Sequence, residues 1–297
     1  LKMYLRNLWL IVVASIGLLS CEKDIDFDLE EQAPKLVVEA SIENGQAPVV
    51  VLSKSFDYFS QIDSADLAAS FVRNAVIRVS NGSITHQLKE YAIPSPFGTF
   101  YYYSNDTTVS SPSFKGEEGK SYTMEIQVDG QRYTGNTTIP LLTKTIDSLW
   151  WKPSPNNPDT NLVVLMARVN DPKGFGNYIR FFTSTNGGNF FPGLNSVFDD
   201  QIVDGTIYDI EVEQGVDRNQ EIDFETYSFF HRGDTVTVKF TNIDKATYDF
   251  WRTMEYNYGS IGNPFSSPTR VLGNISNGAL GYFGGYAVQY RSLVIPK

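Results

Sequence analysis

The sequence predicts an all-β protein, mainly antiparallel, built as two β-sandwich-like domains, the second carrying one helix near residues 243–258. Three observations lead there. Short runs of β-branched and aromatic residues recur along the chain, separated by Gly, Asn, Asp, Ser and Pro. Asn-Gly or Asp-Gly pairs stand between successive runs, and such pairs supply the positive φ angles of tight hairpin turns. Only one segment shows a clear helical period.

The first run, Lys35 to Ile42, is followed by Asn44-Gly45. Ala75 to Ser80 meets Asn81-Gly82, and Ser83 to Tyr91 can return beside it. Tyr122 to Val128 alternates faces and turns at Asp129-Gly130 into Gln131 to Thr134. These hairpins describe an immunoglobulin-like or transthyretin-like sandwich over residues 34–144. A Pro/Asn cluster follows Trp150-Trp151, at Pro153, Pro155, Asn156, Asn157 and Pro158. It marks a seam near residue 145, although a long hairpin loop has the same composition. Beyond it, residues 145–297 form a second β-rich domain, with strands expected at 161–169, 177–183, 206–212, 234–241 and 287–295. Ile243, Thr247, Phe250, Trp251, Met254 and Tyr258 recur at helical spacing, with Asp244 or Asn242 as N-cap. This stripe reads as packing on a sheet.

Composition narrows the function. The chain has 297 residues, 24 Lys+Arg against 34 Asp+Glu, and a formal net charge of -10. That balance argues against nucleic acid as a partner, since phosphate binding needs a basic face. One cysteine permits no internal disulfide, and two histidines leave little for a His-based metal site or triad.

Residues 1–20 read as a signal peptide that is removed. Lys2 and Arg6 precede an apolar run from Leu8 to Leu19, too short to span a membrane, which takes about 20 apolar residues. The run ends in Leu18-Leu19-Ser20-Cys21, which resembles a bacterial lipobox, so Cys21 is the expected lipid-attachment residue. The alternative is an ordinary cleavage site with a chance cysteine. Residues 21–33 form an acidic tether. Within it Glu22, Lys23, Asp24, Asp26 and Asp28 resemble the export signal of Bacteroidota surface lipoproteins, and the same charges also keep a tether extended. The expected location is the outer membrane, lipid-anchored and facing the exterior.

A search for catalytic chemistry finds little. No Gly-x-Ser-x-Gly elbow is present. His86 and His231 lack the paired spacing of a zinc site. Asp209, Glu211 and Glu213 share strand parity and read as a solvated face. Asp199 to Gly205 offers oxygen ligands for calcium but lacks the EF-hand spacing and its final glutamate. No catalytic residue, metal or cofactor is expected. The glycine-rich segment 273–286 is followed by a strand rather than a helix, which is the wrong context for a phosphate cradle. It reads as turns and tight packing ahead of a strand starting at Ala287. A binding surface built from Asn274, Asn277, Tyr282, Phe283 and Tyr286 is the alternative. Neighbouring aromatics, Tyr101-Tyr102-Tyr103, Phe181-Phe182, Phe190-Phe191 and Phe229-Phe230, cannot share one sheet face. They pack between two layers or leave a ring for a protein or sugar.

Several stretches together resemble a family of Bacteroidota outer-membrane lipoproteins known only as a domain of unknown function and often encoded beside a TonB-dependent receptor. They are residues 35–40, Asp171-Pro172-Lys173-Gly174 with Asn177-Tyr178, residues 244–251, Asn263-Pro264-Phe265 and residues 274–286. The resemblance implies a TonB-dependent receptor as partner, and a role in capturing or gating a nutrient whose identity is unknown. It carries no catalytic residues. A structural or adhesion module binding a protein or glycan is the alternative from another class. A glycan-hydrolysing reading rests only on abundant carboxylates.

Overall fold

The structure is a computed structural model that describes residues 33–57, 62–96, 98–108, 114–155, 158–261, 263, 265–267 and 269–297. The signal segment, Cys21 and the tether residues Glu22, Lys23, Asp24, Asp26 and Asp28 lie outside these. Pro34–Lys297 forms one compact unit.

Its strands are β1 (Leu36–Glu43), β2 (Val49–Lys54), β3 (Val76–Ser80), β4 (Thr85–Gln87), β5 (Lys89–Ser95), β6 (Gly98–Ser104), β7 (Lys120–Val128) and β8 (Gln131–Ile139) in the first half. The second half adds β9 (Thr145–Pro153), β10 (Leu162–Asn170), β11 (Tyr178–Thr185), β12 (Phe191–Phe198), β13 (Ile207–Val212), β14 (Phe230–His231), β15 (Thr235–Ile243) and β16 (Leu280–Val294). Two helices accompany them, a short α1 (Ser64–Ser70) and α2 (Lys245–Ser260).

The protein is all-β and sandwich-like. One eight-stranded sheet runs β12-β11-β15-β16-β1-β2-β6-β5. Two four-stranded sheets, β4-β3-β7-β8 and β13-β10-β14 with β9 also on β10, pack against it. Every named strand pair is antiparallel except β1 with β16. Each expected turn joins antiparallel strands, but only Asp129-Gly130 is the tight form with both φ positive, at 50° and 71°, between β7 and β8. At Asn44-Gly45 and Asn81-Gly82 the glycine alone is positive, at 76° and 87°, and after Asn81-Gly82 only Thr85–Gln87 returns beside β3.

Both small sheets lie on one face of the long sheet. Val38, Ala40 and Ile42 of β1 and Phe283 and Ala287 of β16 pack with Ile77, Met124 and Ile126 in a first core. Val236, Val238 and Phe240 of β15 and Ile295 pack with Val163, Leu165 and Phe230 in a second. On β16, Phe283, Ala287 and Leu293 share parity, so one face of one strand enters both cores.

The expected boundary at 144/145 therefore divides neither the long sheet nor the cores, since Phe283 and Ala287 complete the first core. Lys144 is fully buried, its backbone N–H donates to Asn242 Oδ1 at 2.9 Å, and its carbonyl accepts from Asn242 Nδ2 at 2.8 Å. The expected seam is pinned to β15, and Trp150-Trp151 lie within strand β9. Pro153 ends β9, which pairs antiparallel with β10, so the cluster falls in the connection of a long hairpin, the alternative its composition allowed; Asn156 and Asn157 lie outside the described residues.

The last strand also starts earlier than expected, at Leu280 rather than Ala287. Gly281 has φ +95°, and a Cβ there would lie 1.9 Å from the Val38 carbonyl oxygen. At Gly285 a Cβ would lie 2.5 Å from the Thr138 carbonyl oxygen. These glycines let β16 pass closely between β1 and β8, so they sit inside a strand.

Helix α2 begins at the expected cap. Asp244 Oδ1 accepts from the N–H of Thr247 at 2.8 Å, and its Oδ2 accepts from Thr138 N–H at 2.9 Å and Thr137 Oγ1 at 3.0 Å. The cap thus ties the helix to β8. Thr247, Tyr248 and Phe250 are buried, and Phe250 stacks on Tyr282 at 4.3 Å.

Gly285→Ala should lower unfolding free energy by about 1–3 kcal/mol, because two backbones must separate. Gly259→Ala, in α2 with open space around its Cβ, should raise it by up to about 1 kcal/mol. Urea unfolding of both variants checks the pair.

Candidate functional site

The face of the long sheet opposite the cores carries the site. In β11, Ile179 and Phe181 enter the second core, so Arg180 and Phe182 project to the other side. The same alternation turns out Lys239 from β15, Ser41 and Glu43 from β1, and Tyr282 and Tyr286 from β16. Helix α2 crosses this face and adds Trp251, Glu255 and Tyr258, spaced on one side of the helix. With Pro192 and Arg218 these residues enclose an open cleft of about 390 Å³.

Its polar groups are fixed in place. Arg180 is 4% exposed; its guanidinium carbon lies 3.4 Å from the centre of the Trp251 ring and 4.7 Å from that of Phe182. Its Nε donates to Ser196 Oγ at 3.1 Å. Ser196 donates onward, through Oγ and its backbone N–H, to Glu255. Arg218 lies over the Tyr258 ring at 4.7 Å and donates to the Leu194 carbonyl at 3.0 Å. Lys239 and Glu43 form an ion pair at 2.5 Å. Trp251 Nε1 donates to the Tyr286 hydroxyl at 3.1 Å. Burial, with the Tyr286 hydroxyl alongside, drives the Tyr282 phenol well above its ordinary pKa, so it stays protonated.

Three cations and two carboxylates thus line a cleft in an otherwise acidic chain. A second groove, of about 550 Å³, flanks α2 near Val197, Phe198, Arg252 and Tyr256, with Arg252 as its one lining cation.

The expected surface at 274–286 divides. Asn274 is structural: its Nδ2 donates to the carbonyls of Asn136 and Phe283, and its Oδ1 accepts from Phe283 N–H at 2.8 Å. Asn277, at φ 58°, reaches Gln131 and Arg132 on the β7–β8 hairpin. Phe283 is fully buried in the first core. Tyr282 and Tyr286 alone line the cleft. Sequence reasoning missed Arg180, Arg218, Lys239 and Glu255, whose residue types are unremarkable in isolation. The one available signal was parity, since a charged residue between Ile179 and Phe181 must leave the core.

The carboxylates also sort differently from expectation. Asp209 pairs with Arg168 at 2.8 Å on the surface, and Glu211 is exposed. Glu213 does not share their solvated face: its Oε2 is buried without a hydrogen-bond partner. Burial first, and Glu255 second, raise its pKa.

In the Asp199–Gly205 segment, Asp199 accepts from the Tyr248 hydroxyl at 3.1 Å. Asp200 and Asp204 instead gather with Asp171, their carboxylate oxygens within 4.8 Å of one another. Asp200 accepts from the N–H groups of Gly176 and Asn177, Asp204 from Gly174, and Asp171 from Gly205. The Lys144 ammonium lies 2.9 Å from Asp171 Oδ1 with both side chains fully buried. An internal cation therefore already compensates the cluster. Of the histidines, His86 stacks on Phe114 at 6.0 Å and His231 is exposed, 3.9 Å from Asp234.

A family model described as "Domain of unknown function (DUF4249)" matches residues 22–292. The chain belongs to this family. No curated protein matches it. The DUF4249 match spans every strand that builds the cleft, up to residue 292 in β16, so the cleft lies within the family domain rather than on an appendage. Among the described residues no helix is long and apolar enough to cross a membrane.

Lys144→Met should cost about 3–5 kcal/mol in urea unfolding, because it strands buried carboxylates. Burial pushes the Asp200 carboxyl up, but the hydrogen bonds from Asn177 and Gly176 outweigh it and hold the pKa below the ordinary value. A depressed folded value means stability that is present above the unfolded pKa of about 3.9 and lost as pH falls through the folded one. Asp200→Asn should accordingly flatten the fall in stability below about pH 4, read from urea titrations across that range.

Proposed function

We propose that the protein is a surface-exposed, lipid-anchored protein of the outer membrane. It captures a small ligand in the cleft under α2 and serves as the accessory of a TonB-dependent receptor. The cleft carries the capture reading: about 390 Å³, within the usual range of small-molecule sites, walled by aromatic rings and crossed by fixed charged groups. Location rests on the apolar run ending at Cys21 and on the acidic tether after it. The receptor as partner rests on the family resemblance. An acidic body is repelled by an anionic membrane, so the lipid supplies the attachment. No catalytic step is assigned to the cleft.

A second reading, a structural or adhesion module, draws on the opposite end of the long sheet. There Phe100 and Ile93 are exposed on the β5–β6 hairpin, with Phe71 and Tyr102 in ring contact with Phe100. A tagged chain purified from native membranes in mild detergent should bring down a TonB-dependent receptor, with the tag accessible on intact cells. A chain that comes down alone, or with adhesion or cell-wall components, would move the assignment to the second reading.

A further inference from the structure

Arg180 is a cation whose burial the fold itself does not explain. It is 96% buried by its 4% exposure, yet among the described residues no carboxylate lies within 4.0 Å of its guanidinium. Its charge reaches Glu255 only through the hydroxyl of Ser196. Buried charges are ordinarily paired, because leaving water costs several kcal/mol per ion. Arg180 lines the cleft, and among the described residues neither Nη1 nor Nη2 hydrogen-bonds a protein atom. Four N–H donors in a planar fork therefore remain uncommitted. The rings of Trp251 and Phe182 hold the guanidinium at 3.4 and 4.7 Å, so the fork is set before any ligand arrives.

We propose that this cleft binds the carboxylate of a small organic acid, with Arg180 as its clamp and Arg218 as a second cation at the site. The inference rests on reading the cleft as the capture site. The planar guanidinium fork matches a carboxylate bidentately. Lys239 is already committed to Glu43, and Glu255 adds a second negative charge, so the cleft favours a monoanion over a phosphate dianion. The aromatic faces nearest the cations are occupied: Trp251 by Arg180 and Tyr258 by Arg218. Recognition therefore falls to the guanidinium N–H groups, and the parts of the half-buried Phe182 and Tyr282 rings left open beside Arg180 and Phe250 suit an apolar or cyclic body.

The test is calorimetric titration of the full chain with benzoate, hexanoate and glucuronate, each beside its neutral counterpart, benzamide, hexanamide and glucose. Inorganic phosphate and sulfate complete the panel. At least one acid should bind saturably and its neutral counterpart should not, with affinity falling as salt rises. Arg180→Met and Arg218→Gln should each weaken that acid on the order of ten-fold or more. Arg180→Met should melt no lower than the parent, because it removes an unpaired buried charge, whereas an arginine serving only the fold would melt lower when replaced. No saturable acid, equal binding of acid and neutral counterpart, tighter phosphate than carboxylate, or Arg180→Met with affinity intact would each overturn the proposal. The receptor pull-down separates the two levels: a receptor retained without carboxylate binding removes only this inference, and carboxylate binding without a receptor removes only the partnership.

Discussion

The parallel pairing of β1 with β16 holds the protein together. It sets Val37 through Glu43 beside Leu280 through Tyr286, the first and last strands of the described chain, at the middle of the eight-stranded sheet. Everything laid down between them must fold back on either side, β2, β6 and β5 outward from β1, and β15, β11 and β12 outward from β16. The two small sheets then cover one face in two cores. Neither half can complete the long sheet alone, because the strand that closes the first half is the last of the described strands. Such a long-range pairing carries a loop-closure cost that local hairpins do not. It is also sterically exacting, since only glycine at 281 and 285 permits the approach to the backbones of Val38 and Thr138.

The cleft follows from the same arrangement. Once one face of the long sheet is committed to the cores, strand alternation sends Arg180, Phe182, Lys239, Glu43, Tyr282 and Tyr286 to the other. Four strands from distant parts of the chain converge there only because β11, β15, β16 and β1 are consecutive in the sheet. Asp244 then fixes where α2 starts by capping the helix and bonding β8 with the same carboxylate. That anchorage places Trp251 over Arg180. Core and cleft positions are interleaved residue by residue along β16: Phe283 is core, and its neighbour Tyr282 lines the cleft.

Much of the local structure was readable in advance. The Asn-Gly and Asp-Gly turns, the alternating strands such as 122–128 and 235–241, and the start of α2 at Asp244 depend on contacts within a few residues. Local chemistry specifies them whatever surrounds them. The misreadings share one cause. The seam expected near residue 145 and the loop expected over residues 280–286 both fail because the partners that hold those segments are far away in sequence. Asn242 pins Lys144, and β1 and β8 crowd the glycines. Glu213 fits the same pattern: its parity matches Asp209 and Glu211, but it lies beyond the end of β13, where strand alternation no longer governs it.

Residue order alone was enough to establish an all-β chain, its hairpins, the capped helix, and the parity that separates Phe181 from Phe182. Each of these is a property of a residue and its near neighbours. The tertiary structure alone established that one sheet unites both halves, that Lys144 is the counter-ion of Asp171, and that Arg180 stands buried without a carboxylate at the wall of a cleft. Those depend on distances between segments that the chain brings together only by folding, and no local pattern encodes such a distance.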